Sequence, residues 1–318
     1  MRLGQAHGVG HAGGGVADAP GAGPPPGSNA DARQHPWPDS RKPGSGQHSW
    51  QGAAPSDAVD TLLESDMAHA FTEGSNADMT STDTQKNTVY YIAKQCSQPC
   101  SPEEFAILLA RHFVHTYPKV SKAKVWVEQA PWKRATLGGQ LHKHGFSMSG
   151  SEVRTCAVSA TAEGRTTVTA GAQGLRLLKT TQSGYEGFLH DRFTLLPDTR
   201  ERIMASCVTA SWRYTAPAAY DAAFAAARGA LLEAFLGPPA CGVYSPSVQH
   251  TLFQMGRLLL ERVPQADSVF LNMPNLHFLP CSPVTAKFED DVYVATSEPH
   301  GSIEATVTRG EVQPHCKL

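Results

Sequence analysis

Ala218-Ala-Tyr-Asp-Ala-Ala-Phe-Ala-Ala-Ala-Arg-Gly-Ala-Leu-Leu-Glu-Ala-Phe-Leu-Gly-Pro238, then Ser247-Val-Gln-His-Thr-Leu-Phe-Gln-Met-Gly-Arg-Leu-Leu-Leu-Glu-Arg-Val-Pro264, reads as two successive helices with no strand between them. The first spans Ala218–Leu236 and stops at Gly237-Pro238, a C-cap glycine followed by a residue that cannot continue a helix. The second spans Ser247–Val263 and places Leu252, Met255, Leu259 and Leu260 on one face. Helices paired in this way do not fit the βαβ alternation of a parallel sheet.

Working outward, strands are predicted over Ile203–Tyr214, Leu175–Thr181, Arg165–Ala170 and Phe146–Ala160, with a turn at Glu163-Gly164. Val120–Glu128 alternates, with Val125 and Val127 on one face and Trp126 on the other. Upstream of it, Ser101-Pro-Glu-Glu104 supplies an N-cap, a proline at the first helical position and a capping-box glutamate. Phe105, Leu108, Leu109, His112 and Phe113 follow at helical spacing, so a helix is predicted over about 102–117. Thr88-Val-Tyr-Tyr-Ile-Ala93 is β-branched and aromatic and predicts a strand. Ser268–Phe278 and Asp291–Thr296 predict two more. The order implies an α+β fold, with an antiparallel sheet carrying helices on one face. Its two halves read as one plan used twice, the first short at its front end.

Composition sets limits on function. The 318 residues carry a formal net charge of −2 and 41% hydrophobic residues, enough for a sizeable core. That charge argues against a nucleic-acid partner, which calls for a basic stripe. No apolar run approaches the roughly 18–20 residues that span a bilayer, so no membrane partner is expected. The seven cysteines are scattered, with only Cys96 and Cys100 close together. Their spacing fits neither a disulfide framework nor a zinc site. Residues 1–68 are dense in Gly, Pro, Ala and Ser early on and are expected to be disordered, His7, His11, His35 and His48 among them. At the other end, Cys316-Lys317-Leu318 is a variant of the small-basic-leucine peroxisomal address, read by an import receptor from an exposed tail.

Four separated stretches carry the candidate chemistry: Ser81-Thr-Asp-Thr-Gln-Lys-Asn87; Leu177-Leu-Lys-Thr-Thr-Gln-Ser-Gly-Tyr-Glu-Gly-Phe188, continuing to Leu196 and Arg202; Ser245-Pro-Ser-Val-Gln249; and Asn272-Met-Pro-Asn-Leu-His277. In this order and spacing they resemble the signature regions of urate oxidases, over roughly Ala70 to Arg309. The resemblance implies the tunnelling (T-) fold: two ββααββ units in tandem, here 69–166 and 167–310, followed by a tail at 311–318. It also implies a homotetramer with active sites at subunit interfaces. By position, Arg202 matches the arginine that grips the carbonyl edge of urate. Gln249 matches the glutamine on the opposite edge, with the Val248 N–H beside it at a helix start. Tyr185 stands where the family usually has a stacking phenylalanine. Thr82 and Asp83 match the pair contributed by the neighbouring subunit. Asn275 matches the asparagine that orients dioxygen and then water, and His277 the histidine of the proton relay.

Read without the resemblance, each of these residues has a plainer account: a solvated arginine, a first-turn glutamine, a polar turn before a strand, a structural histidine. His142-Lys-His144 invites a metal reading, but one such pair is half a site, and no carboxylate is suitably spaced. The family works without metal or organic cofactor, on urate and O2 alone. Pteridine-directed enzymes of this fold commonly use a zinc-binding Cys/His set or a glutamate anchor, which the Arg202/Gln249 pair does not match. The family's relay also contains a lysine, in a Tyr-Gly-Lys type segment opening the first strand. The resemblance begins near Phe71-Thr-Glu-Gly74, and Lys42 in Arg-Lys-Pro-Gly does not match that segment. An unpaired sheet edge and a relay without its cation are expected. Two explanations stand: an incorrectly assembled gene model, or a purine-binding chain that is catalytically impaired.

Overall fold

The computed structural model describes residues 8–10, 57–96, 100–280, 292–297, 299–310 and 315–317. Lys42, Cys281 and Leu318 lie outside the described residues. The elements are β1 (Gly8–Gly10), β2 (Asp57–Ser65), α1 (Ala68–Thr72), α2 (Thr82–Gln95), α3 (Pro102–Thr116), β3 (Val120–Gln129), β4 (Trp132–Leu137), β5 (Gln140–Met148), β6 (Val153–Thr161) and β7 (Thr166–Lys179). They continue with β8 (Met204–Tyr214), α4 (Tyr220–Leu236), α5 (Val248–Arg262), β9 (Ala266–Pro274), β10 (Phe278–Pro280), β11 (Tyr293–Ala295), β12 (Ser302–Thr308) and β13 (His315–Lys317).

Local signals account for the helices. At α3, Ser101 Oγ accepts from the Glu104 N–H and the Glu104 carboxylate accepts from the Ser101 N–H, a complete capping box with Pro102 at the first position. The strand predicted at Thr88–Ala93 is instead the second half of α2. Ser81 caps that helix by accepting from the Thr84 N–H at 3.0 Å, and Asp83 in the first turn favours the dipole. Gln85, Thr88 and Ile92 are buried at helical spacing, whereas Tyr90 and Tyr91 face solvent. Burial of one helical face overrides the β-propensity of the run.

Three further differences concern strands. Asp57–Ser65, inside the 1–68 segment expected to be disordered, is a nine-residue strand in which Val59, Thr61 and Leu63 turn inward. Arg165–Ala170 and Leu175–Thr181 merge into β7, whose register shifts between Ala172 and Leu175. Gly174 sits in that bulge at φ 71°, where a Cβ would meet the Ser151 carbonyl oxygen at 2.7 Å. The single strand expected over Phe146–Ala160 is two, because β4 and β5 form their own hairpin before β6 begins.

Nine strands form one antiparallel sheet in the order β1-β2-β3-β6-β7-β8-β9-β12-β13. α3 packs on β3 and β6, while α5 packs on β9 and β12. The arrangement β2-α2-α3-β3-β6 is thus repeated as β8-α4-α5-β9-β12. In the second unit the 14-residue β7 lines the outer side of β8. Among the described residues, the matching place beside β2 holds only Gly8–Gly10. The fold is α+β, with two such units in tandem; among the described residues the first has only β1 in the place that β7 fills in the second.

A buried charge joins the units. Glu103 on α3 is 0% exposed and meets Arg154 of β6 at 2.6 Å. The same guanidinium reaches Asp221 on α4 at 2.6 Å and lies 4.6 Å over the Phe224 ring. Burial pushes the Glu103 carboxyl above its ordinary range, against the opposing pull of Arg154. Replacement of Arg154 by Met (Arg154→Met) strands that carboxylate in the core. A denaturant titration is expected to show a loss of about 3–5 kcal/mol. The double variant Glu103→Leu/Arg154→Met is expected to recover most of it; a double variant as unstable as the single one contradicts this account.

Candidate active site

The segments that carry Tyr185, Arg202 and Gln249 meet at one rung. Ser183 and Ser245 pair as a parallel bridge, with the Gly184 N–H donating to Ser245 O and the Ser245 N–H to Gln182 O, both at 2.9 Å. The Arg202 N–H donates to Ser183 O at 2.9 Å, and Tyr185 exchanges both backbone bonds with Thr199. Gly184 is required by contact rather than by dihedral angle. A Cβ there would lie 2.8 Å from the Thr199 carbonyl oxygen and would collide with the Tyr244 hydroxyl.

Arg202 is half-buried, with Nε 3.4 Å from Ser183 Oγ and its guanidinium carbon 5.4 Å from the Tyr185 ring centroid. Burial draws its pKa below the ordinary arginine value, opposed by the Tyr185 and Tyr244 phenols. Among the described residues no carboxylate is within ion-pair distance of it. An unneutralised guanidinium fork against an aromatic face is suited to a planar anion. Tyr185 is backed by Phe188, stacked at 4.6 Å and 12°, and Phe188 by His190 at 4.4 Å and 19°. Beyond this stack, Leu189 and Leu195 are 90% and 95% exposed.

Two residues past the rung, Ser247 caps α5 by accepting from the His250 N–H at 3.1 Å. The N–H groups of Val248 and Gln249 precede the first intrahelical bond and add to the positive end of the dipole. Val248 is buried and Gln249 exposed. Asn275 follows β9, where its N–H donates to Gly301 O at 2.9 Å and its backbone bridges to Ser206 on β8. That places Asn275 at the β8 end into which the Arg202 segment runs. His277 is exposed, and its carbonyl accepts from the Thr296 N–H at 3.1 Å.

Thr82 and Asp83 are not brought to this cluster within the chain. Both are exposed in the first turn of α2, which packs against α3 and β1. Asp83 pairs with Lys86 at 2.9 Å and accepts from Asn87, and the Lys86 contact holds its carboxyl below the ordinary range. The His142 and His144 rings meet edge-on at 4.6 Å. Among the described residues no group of three or more His, Cys, Asp or Glu could hold a metal ion. A cleft of about 810 Å3 between α4 and α5 shares Tyr244 and Ser245 with the rung but is lined by neither Arg202 nor Gln249.

Sequence reasoning passed over Lys179, which donates to Val243 O at 2.9 Å and to Ser245 Oγ at 2.5 Å. The available signal was parity: Lys179 shares a strand face with Leu175 and Leu177, so it points into the core.

The uricase family model matches residues 45–159 and 168–304. Uricase-2 of Phaseolus vulgaris is 47% identical over 266 residues, covering 79% of this chain and 86% of that protein. A uricase of Danio rerio is 38% identical over 239 residues, covering 74% and 80%. The crystal structure of uricase from Arthrobacter globiformis superposes with a TM-score of 0.74 at 34% identity, covering 81% of this chain and 87% of that one. The family match starts at residue 45, ahead of the Phe71 start expected from the sequence, and β2 lies within the added stretch. With the family model matching most of the chain and relatives of this similarity along nearly all of their own length, the chain belongs to the uricase family.

Proposed function

We propose that this chain is a urate oxidase, an oxidoreductase converting urate, O2 and water to 5-hydroxyisourate and hydrogen peroxide without a cofactor. The observation that carries the reading is Arg202: a half-buried cation with no carboxylate partner among the described residues, set against Tyr185 and bonded to Ser183, whose segment pairs with the one that leads into α5. In this reading Arg202 grips the carbonyl edge of the urate anion, and Gln249 with the Val248 N–H reads the opposite edge. Tyr185 stacks on the ring. Urate itself supplies both electrons, so the protein's work is to bind, place and handle protons. Asn275 orients O2 and then water, and His277 moves protons with Thr82.

Thr82 and Asp83 reach the purine from a neighbouring subunit of a homotetramer. Their exposure on α2, away from Arg202 in the same chain, supports that assignment, as does the solvent-facing apolar loop around Leu189 and Leu195.

Cys316-Lys317-Leu318 addresses the enzyme to the peroxisome through its import receptor. Because β13 pairs with β12, the tail must leave that strand to be read. A fluorescent fusion ending in this tail is expected in peroxisomes and, without Leu318, in the cytosol; unchanged peroxisomal signal contradicts the address.

Turnover is tested by the fall in urate absorbance with one peroxide released per O2 consumed. Purified full-length tetramer showing neither overturns the proposal, and saturable urate binding without oxygen consumption would mark the impaired alternative. Arg202→Gln is expected to lower kcat/KM by about 100-fold, near 3 kcal/mol, as the charge-assisted fork is lost. Gln249→Ala is expected to cost about tenfold, and a value within twofold of wild type for either contradicts its assignment.

A further inference from the structure

Lys179 ends β7 on the face that turns inward, one step beyond Leu175 and Leu177, and is 9% exposed. Its ammonium donates to Val243 O and Ser245 Oγ and lies 5.6 Å from the Phe235 ring centroid. Thr251 on α5 donates to the same Ser245 Oγ at 2.7 Å. Buried lysines usually face a carboxylate. Among the described residues none is within ion-pair distance of this one.

Among the described residues, the packed elements offer no hidden counter-ion. β8 presents Met204 opposite Lys179, and α4 presents Phe235. Glu233 on α4 is engaged by Arg262 at 3.1 Å, and His250 on α5 is exposed. The Tyr244 hydroxyl donates to Arg200 O at 3.4 Å, and the remaining nearby charge is Arg202, itself a cation. Arg202 touches Ser183 and Lys179 touches Ser245, so both positive groups converge on one rung.

We infer that Lys179 is a positioning residue for the purine anion, holding the 243–245 segment that leads to Val248 and Gln249 and supplying, from below the rung, positive charge that the bound anion calls on. The inference rests on the urate reading of the site. Burial alone draws the free lysine down to about 8. An anion bound nearby favours the charged form and raises that value in the complex. Below pH 8 the lysine is charged with or without ligand, so it contributes to affinity without making it vary with pH. As pH rises through 8 toward the higher value in the complex, binding takes up a proton and affinity falls.

The test is urate binding under anaerobic conditions, which prevents turnover, by calorimetry between about pH 7 and pH 10 in buffers of different ionisation enthalpy. Wild type is expected to take up a fraction of a proton above pH 8 while its affinity falls by up to about tenfold. Lys179→Met is expected to bind about tenfold more weakly at pH 7 and to lose the uptake, with KM rising more than kcat falls in aerobic assays. Lys179→Arg keeps the charge at every pH tested, so it is expected to restore affinity at pH 7 and flatten the profile above 8. Urate's own ionisation appears in all three proteins and cancels in the comparison. Wild type that binds urate with no break near pH 8, or Met and Arg variants that retain the uptake, overturn the role of Lys179 alone. Wild type with no affinity for urate overturns the urate reading and this inference together.

Discussion

The Arg154 guanidinium sets the relation between the two halves of the molecule. It projects from β6, the last strand of the first unit, and engages Glu103 from the helix layer of that unit and Asp221 from the second. Because Glu103 is fully enclosed, displacement of α3 from β6 would separate a buried pair, which is far costlier than loss of an exposed one, whereas Asp221 on α4 is largely exposed and adds less. The β6–β7 ladder extends the constraint, making one continuous sheet of the two units. Phe113, Leu231, Leu259 and Trp212 fill the layer between that sheet and the helices.

The treatment of charge differs at the far end of the sheet. Arg154 has its carboxylates, whereas among the described residues Arg202 and Lys179 have none within ion-pair distance and are held by serine hydroxyls and a backbone carbonyl. Desolvated positive charge held only by neutral dipoles is an unfavourable arrangement for folding alone. It becomes favourable when an anion arrives. The first turn of α5 points the same way, with Val248 and Gln249 presenting amides before the helix ladder begins. Fold and candidate site thus treat charge differently: a paired charge holds the scaffold, and cations without a carboxylate partner among the described residues lie beside the Ser183–Ser245 rung.

What could be read in the sequence follows from how local each signal is. The capping box at Ser101, the glycine stop at Gly237 and the alternation at Val125–Val127 are contained within a few residues, and each element is where its signal places it. The β-propensity of Thr88–Ala93 covers six residues, while the features that decide for helix, the Ser81 cap and the Gln85, Thr88 and Ile92 face, span twelve. β2 was obscured by the glycine- and proline-rich composition of the residues before it, although Val59, Thr61 and Leu63 alternate plainly. At the site, the motifs led to Tyr185, Arg202 and Gln249 because each adjoins a loop that the Ser183–Ser245 rung draws together. Lys179 was not evident, since its importance depends on which face of β7 is inward. The partners of Arg154 are 51 and 67 residues away in sequence, beyond any local pattern.

The account stands on one geometric claim, that Arg202, Tyr185 and the α5 N-terminus form a single receptor for a flat anionic purine. The most direct measurement is a crystal structure of the assembled protein with xanthine bound. The account predicts a ring stacked on Tyr185, its carbonyl edge on the Arg202 guanidinium and its far edge on Gln249 and the Val248 N–H, with Thr82 approaching from an adjacent subunit. A purine bound elsewhere, or Arg202 and Gln249 facing separate cavities in the assembly, contradicts it.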